Sequence, residues 1–343
     1  MKKVNVRDAV GMELCHDVTE MRDGFKGPAF KRGHIIEQKD IEKLLDIGKK
    51  TIFVWEPGAG EIHEEVAALR MASMAETEGA HYNGPSEGKM VLISDTEGLF
   101  RLDRNILQEV NDIDDITITA LPDHYPVKKG SKLASMRIVP LTTKETNIAC
   151  AEELCHKAEE EGRMLFRVMP YRYLKAGVII TGSEIYSGRI RDKFEPVVRK
   201  KLDAYPGEIL GASICDDDIG MITSAAREYL AKGADFLIFT GGMSVDPDDL
   251  TPTAIKELGA DIVTQGVPAQ PGNMTLIAYL GNIPVIGVPG AAISLPTTVF
   301  DVLLPAIYAG EKLSRKDLFR LAEGGACQNC PDCHFPNCTF GRY

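Results

Sequence analysis

The stretch Ala234-Asp235-Phe236-Leu237-Ile238-Phe239-Thr240-Gly241-Gly242-Met243-Ser244 joins an apolar run to a glycine-bearing turn. Two other segments repeat this arrangement: residues 176–180 lead into Thr181-Gly182-Ser183-Glu184, and residues 283–288 lead into Pro289-Gly290-Ala291. Short apolar runs rich in β-branched residues are typical of parallel strands that are buried on both faces. The glycines let backbone N–H groups approach a ligand closely, and a following helix adds partial positive charge that favours phosphate. The three turns together predict an anion site at the carboxyl ends of strands.

Strands and helices alternate regularly from residue 172 to about residue 307. The predicted strands lie at residues 176–180, 208–214 and 236–239, and the predicted helices follow them at residues 194–202, 221–231 and 252–258. A pair of strands that flanks Asn282 and a helix over residues 295–309 complete the series. Strands separated by helices of this length need right-handed crossovers, which produce a mostly parallel sheet. We therefore expect an α/β domain over residues 171–312.

The rest of the chain divides into three segments of different texture. Residues 1–85 predict an α+β segment, with helices at residues 38–47 and 63–76 and a strand at residues 51–55. Residues 86–170 predict a β-rich module around a helix at residues 103–110, closed by a linking helix at residues 146–161. Residues 313–343 form a C-terminal tail that contains four of the eight cysteines.

The composition is that of a soluble globular protein, with 44% apolar and 26% charged residues. A length of 343 residues suggests two or three domains. The 50 acidic residues outnumber the 39 basic ones, and a net charge of −11 disfavours a nucleic-acid or anionic-membrane surface. No apolar run approaches the roughly 20 residues that span a bilayer, and the first residues lead into no signal-type apolar core. We therefore expect a cytoplasmic protein without a nucleic-acid or membrane partner.

Carboxylates are frequent beside the predicted strand ends. Asp216-Asp217-Asp218 follows the second strand, and Asp248 and Asp249 follow the Gly-Gly turn. Acidic groups near a phosphate hold a divalent metal or orient a nucleophile. Asp at the start of a helix also satisfies free backbone N–H groups. We interpret Asp218 and Asp248 as helix caps and Asp249 as a functional residue.

The turns match neither the G-x-G-x-x-G dinucleotide fingerprint nor the G-x-x-x-x-G-K-[ST] phosphate loop. A dinucleotide dehydrogenase and an ordinary P-loop nucleotidase are therefore not expected. An anion at these turns would have to be bound by backbone N–H groups and by the nearby threonine and serine hydroxyls.

The order and spacing of five motifs resemble the molybdenum-cofactor biosynthesis domain that binds molybdopterin. The motifs are Thr181-Gly182-Ser183-Glu184, Asp216-Asp217, Thr240-Gly241-Gly242-Met243-Ser244 with Asp249, Pro271-Gly272-Asn273, and Val288-Pro289-Gly290. The resemblance covers about residues 172–307, and residues 8–30 are more loosely similar to the opening of proteins related to molybdopterin molybdotransferase. It implies a three-layer α/β domain with a mostly parallel sheet, preceded by the smaller α+β and β-rich segments and followed by the Cys-rich tail.

The resemblance also implies a site and a reaction. Its cofactor-binding residues are Thr181, Gly182, Ser183, Glu184, Thr240, Gly241, Gly242, Met243, Ser244, Pro271, Gly272, Asn273, Pro289 and Gly290. By similarity, Asp249 is the essential acidic residue near a pyrophosphate, and with Asp216 or Asp217 it would hold Mg²⁺. The implied reaction is metal-dependent cleavage of adenylylated molybdopterin with insertion of molybdate, and the implied assembly is a homodimer.

Three positions depart from the family pattern. Asp192-Lys193-Phe194 stands where the enzymes usually have Asp-Ser/Thr-Asn, and Val288-Pro289-Gly290-Ala291-Ala292 replaces Leu-Pro-Gly-Asn-Pro. Asn273 occupies a position where a lysine is common. Backbone donors survive such changes, whereas catalysis by side chains does not. We therefore rank molybdopterin binding, in the synthesis or delivery of the molybdenum cofactor, above molybdate insertion.

The tail spaces Cys327, Cys330, Cys333 and Cys338 as C-x2-C-x2-C-x4-C. In a chain without a secretory signal, clustered thiols indicate a metal more often than a disulfide. Four thiolates at this spacing suit either a tetrahedral zinc ion or a [4Fe–4S] cluster, with His334 as a substitute ligand. The spacing does not choose between the two. The segment has few apolar residues, so the metal would supply the energy that orders it.

Two other functions fit the same motifs. Some relatives of the domain are similar to pyridine-nucleotide salvage enzymes, so a hydrolase of a nucleotide pyrophosphate or of nicotinamide mononucleotide is one alternative. The other is a non-catalytic carrier or regulator whose tail docks on a molybdoenzyme or a redox partner. Turnover of a nucleotide substrate would identify the hydrolase. Pterin binding that survives Asp249→Ala, with no activity in either protein, would identify the carrier.

Overall fold

The computed structural model describes residues 1–22, 24–56, 58–243 and 249–342. The chain forms two compact units, the first from residues 1–95, 102–121 and 129–167 and the second from residues 96–101, 122–128 and 168–343. This grouping differs from the four segments expected from the sequence, because the two N-terminal segments largely share one unit and the tail belongs to the unit that contains the α/β domain. Across the described ranges, no helix is long and apolar enough to cross a membrane.

The first unit combines small antiparallel sheets with four helices of the described chain. Its sheets pair β1 with β4, β2 with β3 and β5 with β12, and place β6, β7, β11 and β9 side by side in that order. The elements, with a short 3-10 helix at Val6–Asp8 after the first strand, are β1 (Lys2–Asn5), β2 (Val18–Arg22), β3 (Phe25–Phe30), α1 (Asp40–Asp46), β4 (Thr51–Val54), β5 (Glu61–His63), α2 (Glu64–Met74), β6 (Ala80–Ser86), β7 (Lys89–Ser94), α3 (Arg104–Asn111), β9 (Ile116–Ala120), β11 (Lys132–Ile138), β12 (Thr142–Lys144) and α4 (Glu145–Glu160).

The second unit contains a small three-stranded sheet and one large sheet with its helices. The small sheet has the order β10-β8-β13, and the chain reaches it from the first unit before the large sheet begins. The elements are β8 (Gly98–Leu102), β10 (Tyr125–Val127), β13 (Phe166–Pro170), β14 (Leu174–Thr181), α5 (Ser183–Tyr186), α6 (Phe194–Leu202), β15 (Gly207–Cys215), α7 (Ile219–Ala231), β16 (Phe236–Thr240), α8 (Thr251–Glu257), β17 (Asp261–Gln265), β18 (Leu276–Leu280), β19 (Ile283–Val288), α9 (Ala291–Ser294), α10 (Val299–Ala309) and α11 (Arg315–Arg320).

The large sheet has six strands in the order β15-β14-β16-β19-β18-β17. Its first four strands pair in parallel, whereas β18 and β17 pair antiparallel to their neighbours. The chain runs from β14 to β15 on one side and then returns to β16 on the other side of β14. In open α/β sheets, ligands collect where the strand order reverses in this way. The sheet therefore places its switch point between β14 and β16.

Side chains that alternate along the central strands face two separate cores. Val178 and Ile180 pack with the apolar faces of α6 and α10, whereas Ile179 packs on the opposite side with α7 and α8. The neighbours on both sides are apolar because helices cover both faces of the sheet. This double burial explains why the strand sequences are continuous apolar runs without polar alternation.

The observed elements confirm that the domain is α/β. One helix has the predicted bounds, whereas two other elements differ from the prediction. The helix at Phe194–Leu202 has the bounds that the sequence predicts. The last long helix begins at Val299 and not at residue 295, because the Thr298 and Asp301 side chains form a capping box at its start. The edge strand β17 was not expected, since only part of its short run is buried.

Gly177, in the middle of β14, provides a test of the packing of α7 on the sheet. A Cβ atom at this position would lie 2.6 Å from Tyr229 Cβ and 2.9 Å from Leu237 Cδ2. We expect Gly177→Ala to lower the free energy of unfolding by about 1–3 kcal/mol, because the core has no room for the methyl group. Urea unfolding followed by circular dichroism measures this change.

The matched control is Gly290→Ala. Gly290 has an ordinary φ of −53°, and nothing lies within 4 Å of a Cβ built on it. We expect the unfolding midpoint of this variant to equal or slightly exceed that of the unaltered protein, since alanine restricts the unfolded chain. Equal midpoints for both variants would contradict the close contact between α7 and β14.

Candidate functional site

The register of the parallel strands brings the three glycine-bearing turns to one edge of the large sheet. Ile180 lies opposite Thr240, so β14 and β16 end side by side. Thr240 in turn lies opposite Val288, the last residue of β19. On the other side, Thr181 lies opposite Cys215, which ends β15. The motifs that are far apart in sequence are therefore neighbours at the carboxyl ends of four strands.

Buried hydroxyl groups line the switch point between β14 and β16. The Thr181 hydroxyl donates to the Thr240 carbonyl oxygen at 3.4 Å, and its oxygen lies 2.9 Å from Thr251 Oγ1. Thr251 also donates to the Gly241 carbonyl oxygen at 3.0 Å. Thr251 is the first residue of α8, so its hydrogen bonds connect the glycine turn to that helix. The sequence offered no distinct signal for Thr251 beyond a threonine that precedes a proline at a helix start.

Thr240 differs from these two threonines. It is fully buried, yet its side-chain hydroxyl has no hydrogen-bond partner within the described part of the chain. A buried hydroxyl without a partner costs free energy, about 1–3 kcal/mol. Orphaned groups of this kind call for a specific explanation, and a bound polar ligand is one.

The turn after Thr240 is restricted to glycine by its backbone and by its surroundings. Gly241 has φ +84°, and a Cβ atom there would lie 2.1 Å from the Thr181 carbonyl oxygen. Gly242 has φ +52°, and its Cβ would lie 2.7 Å from Thr251 Oγ1. Glycine alone avoids both the positive-φ penalty and these overlaps. The turn backbone therefore approaches β14 more closely than any other residue type would allow.

Two carboxylates gather around Ser183 at the end of β14. Ser183 donates its hydroxyl to Asp216 Oδ1 at 2.5 Å, and its backbone N–H to Asp217 Oδ2 at 2.8 Å. Asp216 Oδ1 also accepts the backbone N–H of Asp217 at 2.9 Å. The hydrogen bonds fix both carboxylates at the edge of the site. Asp218 points away from this group and caps α7 by accepting the Met221 N–H, which confirms the interpretation of Asp218 as a cap.

Cys215 lies beside these carboxylates but carries no reactive thiol. Burial raises the pKa of Cys215 to about 11, so its sulfur stays protonated and unreactive at neutral pH. Met243 is similarly part of the core, because it is buried against Gly287 and the strands next to it. A contribution of Met243 to ligand binding would have to come from its backbone.

The Pro271-Gly272-Asn273 segment lies at the start of α10. Pro271 accepts the Val299 N–H through its carbonyl oxygen at 3.0 Å, and Asn273 accepts the Val267 N–H at 2.8 Å. Gly272 has φ +102°, and a Cβ there would lie 2.9 Å from the Val299 nitrogen. These contacts give the segment a packing role that does not require a ligand.

The remaining residues of the predicted site are placed as follows. Pro289 and Gly290 follow β19 and begin α9, Gly182 has φ +139° at the end of β14, and Glu184 is exposed one turn away. Asp249 is half-buried directly before α8. Ser244 and Asp248 lie outside the described residues. Within the described ranges, no group of three or more His, Cys, Asp or Glu side chains could hold a metal ion.

Residues 177–309 match a family model described as "Probable molybdopterin binding domain". The resemblance inferred from the motifs is therefore confirmed for the large sheet and its helices. A second family model, described as a domain of unknown function, matches residues 3–56.

The chain is similar to the molybdopterin molybdenumtransferase of Bacillus subtilis (strain 168), with 30% identity over 121 residues, which cover 33% of this chain and 28% of that protein. It is also similar to a CinA-like protein of Mycobacterium sp. (strain JLS), with 32% identity over 90 residues, 26% of this chain and 21% of that protein. The chain thus spans less than a third of these curated relatives. The solved structure of the tungsten cofactor synthesizing protein MoaB from Pyrococcus furiosus is similar over 40% of this chain and 94% of that one, with 22% identity and a TM-score of 0.34.

Thr240 and Thr181 provide a matched pair of substitutions that tests the hydroxyl network without any ligand. Thr240→Val removes an unpaired buried hydroxyl, so we expect the free energy of unfolding to stay equal or to rise by up to about 1 kcal/mol. Thr181→Val removes a hydroxyl with two partners, so we expect a loss of about 1–3 kcal/mol. Urea unfolding of both variants measures the difference. A larger loss for Thr240→Val than for Thr181→Val would contradict the observed pairing.

Proposed function

We propose that the second unit binds the phosphate-bearing end of molybdopterin at the carboxyl ends of β14 and β16, as part of molybdenum-cofactor synthesis or delivery. The observation that carries this proposal is the buried Thr240 hydroxyl at the switch point of the sheet, which has no hydrogen-bond partner among the described residues. The match of residues 177–309 to a probable molybdopterin binding domain supports the choice of ligand.

The chemistry of the site suits a phosphate. Thr240 offers a hydroxyl donor, and the Gly241-Gly242 turn can present backbone to a ligand without side chains in the way. An oxyanion that accepted a hydrogen bond from the Thr240 hydroxyl would remove the free-energy cost of burying that hydroxyl without a partner. A charged acceptor also makes a stronger hydrogen bond than a neutral one. Ser183 is already engaged by Asp216 and Asp217, so we assign it to the carboxylates and not to the phosphate.

The carboxylates extend the proposal from binding to catalysis. Mg²⁺ is usually bound through one or two carboxylates together with substrate phosphates, and not by a cage of protein ligands. Asp216 and Asp217 would fill this role once a pyrophosphate is bound, with Asp249 as the further acidic residue. The metal would neutralise the leaving phosphate during cleavage of adenylylated molybdopterin, with molybdate as the second substrate.

The carrier and the hydrolase remain the alternatives to this catalytic proposal. The loss of the family's Asn at Phe194 and of its Lys at Asn273 favours binding without turnover. Some relatives of the domain are similar to pyridine-nucleotide salvage enzymes, so nucleotide hydrolysis at the same strand ends is the other alternative. A homodimer, and a molybdoenzyme or redox partner, also remain proposals that rest on the resemblance.

The binding proposal predicts that the purified chain takes up molybdopterin and that Thr240→Val weakens the complex. We expect at least about a tenfold rise in Kd, since a hydrogen bond to a charged group contributes roughly 1.5–3 kcal/mol. The protein is first separated from free ligand. The bound pterin is then oxidised and measured by its fluorescence.

The matched control for binding is Ser213→Ala. Ser213 lies on β15, two residues before the strand end, and its hydroxyl pairs with Tyr229 OH at 2.8 Å, away from the switch point. We expect this variant to bind molybdopterin with unchanged affinity. Failure of the unaltered protein to bind the pterin would exclude the proposed function, and equal affinity for Thr240→Val would place the ligand elsewhere.

The catalytic extension predicts release of AMP from adenylylated molybdopterin in the presence of molybdate and Mg²⁺. We expect Asp249→Asn to lower the rate of release at least about a hundredfold, because one metal-binding charge is lost at the pyrophosphate, while molybdopterin binding stays within about twofold. Chromatography of the nucleotide product measures the rate.

Two results would assign other functions to the site, and a third would change its catalytic group. Retained pterin binding with no AMP release by the unaltered protein would identify a carrier. Hydrolysis of nicotinamide mononucleotide or ADP-ribose, without pterin binding, would identify the hydrolase. Equal release by Asp249→Asn and by the unaltered protein would remove Asp249 from the catalytic group.

A further inference from the structure

The C-terminal tail is packed against the rest of the second unit along much of its length. Gln270 donates its N–H to the Gly325 carbonyl oxygen at 2.7 Å and accepts the Cys327 N–H at 2.9 Å. Phe340 is 2% exposed and belongs to the core around α10. The Arg342 guanidinium stacks over the Tyr125 ring, 4.5 Å from its centre, and donates to the Pro336 carbonyl oxygen. The segment that carries the four cysteines is thus anchored on both sides.

Between these anchors, the four thiols line a single cavity of about 210 Å³. Leu295 and Thr297, which precede α10, also line the cavity. All four cysteines are free thiols, so no disulfide occupies the space. The fold therefore gathers all four tail cysteines around one space, although the segment itself holds little regular structure.

The size of the cavity, about 210 Å³, suits a body larger than a single ion. No group of three or more His, Cys, Asp or Glu side chains in the described chain, which includes residues 327–338, could hold a metal ion as it stands, so metal binding would have to draw the thiols closer together. A tetrahedral zinc ion requires four sulfurs drawn tightly around one centre. In a [4Fe–4S] cluster each thiolate binds a different iron, so the sulfurs stand further apart around a larger body.

Hydrogen bonds to two of the sulfurs favour the thiolate form that a metal centre requires. The Asn329 backbone N–H donates to Cys327 Sγ at 3.5 Å, and Thr297 Oγ1 lies 3.1 Å from Cys333 Sγ. Asn329 holds a φ of +49°, which turns its N–H back towards the sulfur two residues before it. Donors that surround thiolates stabilise their negative charge and set the reduction potential of an iron–sulfur centre.

We infer that Cys327, Cys330, Cys333 and Cys338 bind a [4Fe–4S] cluster in the cavity between the tail and the residues before α10. Each thiol releases its proton to solvent as its sulfur binds one iron. His334 lines the same cavity and is not required as a ligand. This inference is independent of the proposed pterin site, because none of its four ligands belongs to that site.

The full chain, purified without oxygen and incubated with equal amounts of ferrous and ferric iron and with sulfide, tests the assignment, because a cluster of two ferrous and two ferric ions then assembles without an added oxidant. We expect about four irons and about four acid-labile sulfides per chain, with the broad visible absorption of a [4Fe–4S] cluster that bleaches on reduction by dithionite. His334→Ala should retain the full content. A parallel sample receives zinc alone. One tightly bound zinc with no cluster after iron and sulfide treatment would overturn the inference, and so would the absence of both metals.

Variants locate the ligands. Cys333→Ser and Cys338→Ser should each lose at least half of the iron and sulfide, whereas Cys150→Ser, which removes an exposed thiol from α4, should retain all of it. Circular dichroism of each variant before reconstitution establishes that it is folded. If the cysteine variants unfold, the iron and sulfide content of the unaltered protein still decides the assignment. Full iron content in folded Cys333→Ser and Cys338→Ser would overturn it.

Discussion

The close approach of two strand ends is the constraint on which the rest of the second unit depends. The Gly241 turn passes so near the Thr181 carbonyl oxygen that no side chain fits between them. The approach holds only while β14 and β16 keep their parallel register, and that register is fixed by apolar side chains packed against helices on both faces. The core thus determines the geometry of the site, because a shift of one residue in either strand would exchange the faces that are buried.

Polar groups at this edge of the sheet fall into two classes. Thr181 and Thr251 satisfy each other and the carbonyl oxygens of the turn, so they stabilise the site in the absence of a ligand. Thr240 is unsatisfied in the described chain and destabilises the same edge. Local destabilisation next to a rigid network is typical of preformed binding sites in general, because the network holds binding groups in a fixed geometry.

The sequence predicted the central strands and helices well because each has a strong local pattern. Continuous apolar runs located β14 and β16, and the apolar face of α6 gave its bounds. The contribution of residues 96–101 and 122–128 to the second unit could not be predicted, since it depends on long-range packing. The glycine turns and the carboxylates were found from spacing. The hydrogen bond between Thr181 and Thr251 was not, because the pairing of side chains 70 residues apart leaves no local pattern.

The second unit is built from three separate stretches of the chain, which limits the fragments of the protein that could fold alone. A fragment that began at residue 168 would contain the residues matched by the family model and would still lack Arg101 and Asp123. Burial opposes the charge on Asp123, but hydrogen bonds from His124 and Arg101 hold the pKa of this carboxyl well below its usual range. Arg101 also pairs with Glu311. The fragment would therefore leave the largely buried carboxylate of Glu311 without the Arg101 cation. The stretch matched by the family model is therefore shorter than the compact unit that contains it, and a fragment meant to fold alone should keep residues 96–101 and 122–128.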